Sequence, residues 1–207
     1  MFGKSRCLQI GALLVLFLFV ASCGSGTNSA GYRTAAPPAE IQVEEVAQGI
    51  RIAWSPVADA ASYTVFWGRE PTQYKNCFNT KDCSLIISGL SKGELHCFAV
   101  TSWGHRGESD YSREIIYVYD DNPNRSSAHL AKGKELMSHG LYPEANAYLS
   151  VSIRLHPESA DAYRSRASLY DRMEEPDSAK KDRATAERLS NRKTASLELS
   201  RHSSRQP

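Results

Sequence analysis

Chemistry in this chain of 207 residues has to come from a small set of side chains. Cysteines stand at 7, 23, 77, 83 and 97, and there are six histidines. A metal site would need these at ligand spacing. The step from Cys77 to Cys83 is C-x5-C with no matching second pair, and no histidine completes it, so no metal is expected. Acid–base work would need converging carboxylates. Glu44-Glu45 and Glu174-Glu175 are adjacent in sequence, and adjacent residues point to opposite faces of a strand or diverge on a helix. H-E-x-x-H, G-x-S-x-G, the phosphate loop and G-x-G-x-x-G are all missing, and no serine or cysteine nucleophile has an identifiable base. The expectation is a protein that is not an enzyme and carries no cofactor.

Cys23 is the exception, because a reaction is written into the residues before it. Lys4 and Arg6 precede the apolar run LQIGALLVLFLFVA at 8–21, which then reads Val20, Ala21, Ser22, Cys23. The run has the length of a signal-peptide core and falls short of the ~20 residues needed to span a bilayer. V-A-S-C resembles a bacterial lipobox. That resemblance implies cleavage before Cys23, lipidation of its thiol, and residues 1–22 as a lipoprotein signal peptide. An ordinary signal peptide with an incidental cysteine, or an uncleaved anchor, is the competing reading. Each buried acyl methylene adds roughly 0.8 kcal/mol, so more than one chain gives a stable anchor. Gly24 rather than Asp follows the cysteine, which in the enterobacterial pattern this resembles favours the outer membrane, facing the periplasm. Residues 23–38 are dominated by Gly, Ser, Ala, Thr and Pro and read as a flexible tether with a reach of about 20 Å.

Two kinds of element follow. From residue 41 the apolar period is two: Ile50, Ile52 and Trp54 alternate with Arg51 and Ala53, and Tyr63, Val65 and Trp67 alternate with Thr64 and Phe66. CSLIISGL, HCFAVTSW and EIIYVY continue the habit, with Leu85, Ile87, Phe98 and Val100 inward. This predicts an antiparallel sandwich over 39–120. The marks Trp54-Ser-Pro56, Tyr63-Thr-Val65, Gly89-Leu90 and GESDYS (107–112) resemble the fibronectin type III domain, which implies an all-β, immunoglobulin-like fold. His96 stands where that family usually has its corner tyrosine, and a structural role is expected for it.

An oxidising compartment would leave Cys77, Cys83 and Cys97 able to pair. Asn79, Thr80, Lys81 and Asp82 read as a turn, which favours a Cys77–Cys83 disulfide across it. Cys97, out of phase with Phe98 and Val100, is expected on the outer face of its sheet, and its pairing with either of the other two stays open.

Asp120, Asp121, Asn122 and Pro123 make a polar junction, after which the period is helical. Sliding 126–159 over 160–193 aligns Gly133 with Ala167, Leu136 with Tyr170, Ala145 with Ala179 and Ser152 with Ala186, so the second segment repeats the first. GLYPEA (140–145) and Leu155-His-Pro157 resemble the tetratricopeptide (TPR) repeat, so 126–191 is expected to be two all-α helical hairpins. The second unit departs from the family: Glu174 replaces Gly140, Pro176 replaces Tyr142, and Asn191 replaces Pro157. Residues 192–207 are expected to be a capping helix or a disordered basic tail. In the family the first helix of each hairpin lines a groove that holds peptides. The matching positions are Leu130, Lys134, Met137, Arg164, Ser168 and Asp171, and Lys134 and Arg164 could receive an acidic peptide.

Charge is divided between the segments. Residues 39–121 carry 7 basic and 12 acidic side chains, and residues 125–207 carry 15 and 11. The expected function is a lipid-anchored scaffold or adaptor in the cell envelope, holding a protein or peptide in its repeat groove. The alternative is a protein that binds cell wall or glycan through Trp67, Trp103 and Tyr74. No nucleic-acid partner is expected.

Overall fold

A computed structural model describes residues 35–203. The expected signal peptide, Cys23 and most of the tether lie outside the described residues, as do the last four. The first part is built of β1 (Gln42–Val46), β2 (Gly49–Ala53), β3 (Ala60–Gly68), β4 (Asn76–Thr80), β5 (Ser84–Ser88), β6 (Leu95–Gly104), β7 (Gly107–Glu108) and β8 (Ile115–Val118). One sheet runs β1-β2-β5. The other runs β4-β3-β6-β7, with β8 also on β6. Two packed sheets with this strand order make an immunoglobulin-like sandwich. Four helices follow: α1 (Ser126–Ser138), α2 (Tyr142–Leu155), α3 (Ala160–Arg172) and α4 (Pro176–Ser203). A β-sandwich followed by helices is the architecture that the change of apolar period predicts.

The alternation places the core. Ile50, Ile52, Val65, Phe98 and Val100 are fully buried, and Trp54, Tyr63 and Ile87 nearly so. Trp54 meets Tyr63 edge-on at 5.3 Å, and the Tyr63 hydroxyl accepts from the Val57 amide at 3.0 Å, which ties the two tryptophan- and tyrosine-bearing motifs together. β6 departs from simple alternation. His96 through Ser102 are all buried, because this central strand is covered on both faces. Cys97, though out of phase with Phe98 and Val100, is therefore wholly buried as they are.

Two motifs acquire a physical meaning. In GESDYS the strand breaks between β7 and β8, and serine side chains take over its pairing with β6. The Ser102 amide donates to Ser109 Oγ at 3.0 Å and the Val100 amide to Ser112 Oγ at 2.9 Å. The two serine amides donate back to the Ser102 and Val100 carbonyls. Three residues advance along one strand while two advance along the other, which is the geometry of a bulge. At the corner, His96 Nε2 lies 3.0 Å from the Ser91 carbonyl oxygen. A carbonyl only accepts, so the proton of the neutral ring sits on Nε2.

Helix starts repeat as the sequence alignment does: α1 to α3 (Ser126 to Ala160) and α2 to α4 (Tyr142 to Pro176) are the same step along the chain. The small residues Ala145, Ser152, Ala167, Ala179 and Ala186 are all buried. Gly133 shows why they are small. A Cβ there would lie 2.7 Å from the Leu149 side chain, inside contact distance. Ala145, Leu149 and Leu169 form the centre of the helical core. Pro157 ends α2, since it has no amide proton and disfavours helix before it. No separate capping helix forms after 192 among the described residues. Asn191 keeps the amide that Pro157 lacks, and α4 runs unbroken through 203.

The chain divides into two compact units, and the division does not fall between strands and helices. One holds residues through Gly68, Thr72–Ile87 and Phe98–Glu114. The other holds Arg69–Pro71, Ser88–Cys97 and everything from Ile115 onward. β8 and the turn at 91–94 thus belong with the helices.

Candidate partner-binding surface of the helices

The six expected groove positions do not share one environment. Leu130 and Met137 on α1 are half-buried and pack against the Ala145–Leu149–Leu169 cluster. They serve the core more than an open groove, a correction that follows from the close approach of α2 at Gly133. Lys134 is exposed, but its ammonium lies 2.8 Å from Asp161 at the start of α3. It has its own carboxylate and is not an empty receptor for an acidic peptide.

Arg164, Ser168 and Asp171 are brought together. They line one wall of a cleft of about 460 Å³, with Ala167, and α4 supplies Arg183, Ala186, Glu187 and Ser190 opposite. The cleft therefore lies between α3 and α4, not between α1 and α3. Arg164 donates to Ser190 Oγ and Arg183 pairs with Asp171. Both ties are exposed, and such pairs contribute little, so a partner could exchange them at low cost. A larger cleft of about 920 Å³ adjoins it, between the α2–α3 turn and the far part of α4, and shares Arg164. His156, Arg192 and Lys193 line it beside Glu158 and Asp161.

Two buried polar clusters brace this unit, and neither was visible as a motif. Arg166 on α3 forms a two-pronged pair with Asp182 on α4 at 2.7 and 2.9 Å, and donates to Ser150 on α2 at 3.2 Å. Tyr163 and Tyr170 flank its guanidinium. Burial works against the charge of Arg166, but Asp182 and the two rings more than compensate, so its pKa is raised. The second cluster is at the junction. Asp120 is fully buried and accepts from His129 Nε2 at 2.7 Å, from Arg125 at 3.1 Å and from the Asn122 amide at 3.1 Å. Burial pushes the Asp120 carboxyl up, but these three donors outweigh it and hold it below its ordinary value. Arg125 also donates to the Lys92 carbonyl and packs so tightly on Gly93 that a Cβ there would lie 2.1 Å from the guanidinium. The turn residues Asp120 to Asn122 could be read as a loop, but a fully buried carboxylate could not, because its donors come from 2 to 9 residues downstream.

The expected Cys77–Cys83 disulfide is not made. The turn between them does not join two neighbouring strands of one sheet. Cys77 sits on β4, opposite Phe66, while Cys83 leads into β5 of the other sheet and gives its carbonyl to the Trp54 amide. The Cys83 thiol instead points to the Tyr63 hydroxyl at 3.8 Å. Of the aromatics that could stack on sugar, Tyr74 is engaged with Phe66 and Tyr111 and donates to Glu114 at 2.6 Å. Trp67 is half-buried. Trp103 is 41% exposed, with its indole N–H held by Thr64 at 3.0 Å.

No family model matches the chain, and no curated protein matches it. Solved structures similar to its β part are fibronectin type III domains. FN3tt is 21% identical, with 42% of this chain and 97% of that one covered and a TM-score of 0.39. An Fn3-like protein from Clostridium thermocellum is 17% identical over 43% and 97%, with a TM-score of 0.38. The fn3 domain of human collagen alpha-1(XX) chain is 18% identical over 46% and 95%, with a TM-score of 0.37.

Proposed function

We propose that this protein is a lipid-anchored, non-enzymatic scaffold of the bacterial envelope, tethered through Cys23 to the outer membrane on its periplasmic side. Its two helical hairpins act as TPR-like repeats that hold an extended peptide or helix of a partner protein, and its sandwich serves as spacer. The charged run, the apolar core and V-A-S-C at 20–23 support the anchor. The observation that carries the binding role is the cleft between α3 and α4, where Arg164, Ser168 and Asp171 converge on hairpins whose helices start at a constant repeat. A glycan-binding role would rest on Trp103 alone.

Mass spectrometry of the native protein tests the anchor: the mature chain should begin at Cys23 with acyl mass attached, and Cys23→Ser should abolish it. Crosslinking in intact envelopes tests the scaffold. A defined partner should be captured by the wild type and lost in Arg164→Glu with Ser168→Trp. A folded, envelope-located protein that crosslinks to nothing would overturn the scaffold reading.

A further inference from the structure

A sheet stops where its last strand has no neighbour, and proteins guard that boundary with charge, proline or a bulge. Among the described residues β1, β5, β4 and the β7–β8 side are the edges. β1 carries Glu44 and Glu45, and β7 carries Glu108. β5 is uncharged, but its exposed Ile86 alternates with buried Ile87 and belongs to an ordinary outward row. β4 is different. Asn76–Thr80 has neither charge nor proline. Its central Phe78 is directly opposite Val65, which is fully buried, yet Phe78 is 41% exposed. A side chain on the core row is left open because, among the described residues, no strand lies beyond it. Exposed Lys75 and Lys81 bracket the strand.

We propose that β4 receives an extended segment of a partner protein as an added strand, with an apolar residue against Phe78 and acidic residues against Lys75 and Lys81. A second copy of this chain does not suit the edge. Antiparallel self-pairing centred on Phe78 sets Lys75 against Lys81 at both ends, parallel self-pairing sets each lysine against itself, and like charges directly opposite are destabilising. The helical cleft plays no part, so this inference stands or falls separately from the function proposed above.

The probe is a capped, fluorescein-labelled peptide, Glu-Val-Thr-Val-Thr-Val-Glu, whose valines share the Phe78 row. It is titrated by anisotropy into the full chain, kept in detergent so that its apolar N-terminal run stays dispersed. Saturable binding is expected, with β4 amides gaining protection from hydrogen exchange and affinity falling at least tenfold in Phe78→Asp. The same peptide with lysines for glutamates should not bind. The double variant Lys75→Glu, Lys81→Glu leaves the sheet untouched and should reverse that preference. The inference is overturned if the acidic peptide fails to bind the folded wild type, or if the two peptides bind alike. It is equally overturned if sedimentation shows that the chain dimerises through β4.

Discussion

Glu174 holds a backbone conformation that its side chain resists. Its φ is +60°, and Gly140, its counterpart in the first hairpin, has φ +76°. Both close the turn between the helices of a hairpin, and only glycine adopts this left-handed region without steric penalty. Glu174→Gly should therefore stabilise the protein by about 1 kcal/mol, measured as a shift in urea midpoint at constant slope. A similar single-atom argument applies to Ser109 and Ser112, whose hydroxyls stand in for strand carbonyls. Ser109→Ala leaves the buried Ser102 amide without its hydroxyl acceptor. The expected loss is about 1–3 kcal/mol, and Ser109→Thr, which keeps the oxygen, should recover part of it. No midpoint change in Ser109→Ala would mean that the hydroxyl bond contributes nothing to the bulge.

At the scale of elements, α4 is the informative one. Its residues 191–196 are exposed along the helix, so this part of α4 has little buried surface to hold it. Asn191→Pro removes an amide and clashes with the preceding turn. Hydrogen exchange should show protection lost from about 188 onward, with α1 to α3 unchanged. Protection lost throughout the unit would show that the distal part of α4 braces the hairpins. The elements themselves were legible because period two and period 3.6 are strong signals. The repeat was legible because close helix approach demands small residues, and Gly133, Ala145 and Ala167 supplied them. The cleft was half legible. Family-style positions led to Arg164, Ser168 and Asp171, but they could not show that α4 forms the opposite wall. Cys77 and Cys83 misled because their spacing suits a hairpin and a crossing between sheets equally well, and local sequence does not encode which sheet the next strand joins.

For the whole molecule the expected response is to acid. His96 is wholly buried, and burial, the largest influence, lowers its pKa. The unfolded chain binds a proton near pH 6.5 that the folded chain refuses. This contribution is therefore complete above about pH 6.5 and is lost as the pH falls through the folded value. Asp120 is also held below its ordinary value, so its contribution is present above the unfolded carboxyl value of 3.8 and lost as the pH falls through the folded one. Both act in the same direction, and stability should fall in two steps on acidification. Urea midpoints from pH 8 to pH 3 measure this. His96→Tyr, which keeps a donor for the Ser91 carbonyl without titrating, should erase the upper step and leave the lower.

Tandem units multiply in evolution by copying end to end, and each copy must hand the chain back at the right place. α2 does so by stopping at Leu155, so that α3 begins at Ala160. α4 passes the equivalent point and continues to Ser203. At 1.5 Å per residue, the end of α4 lies about 21 Å along the axis from that point. By running through Asn191, α4 leaves the repeat register that α2 keeps by stopping at Leu155.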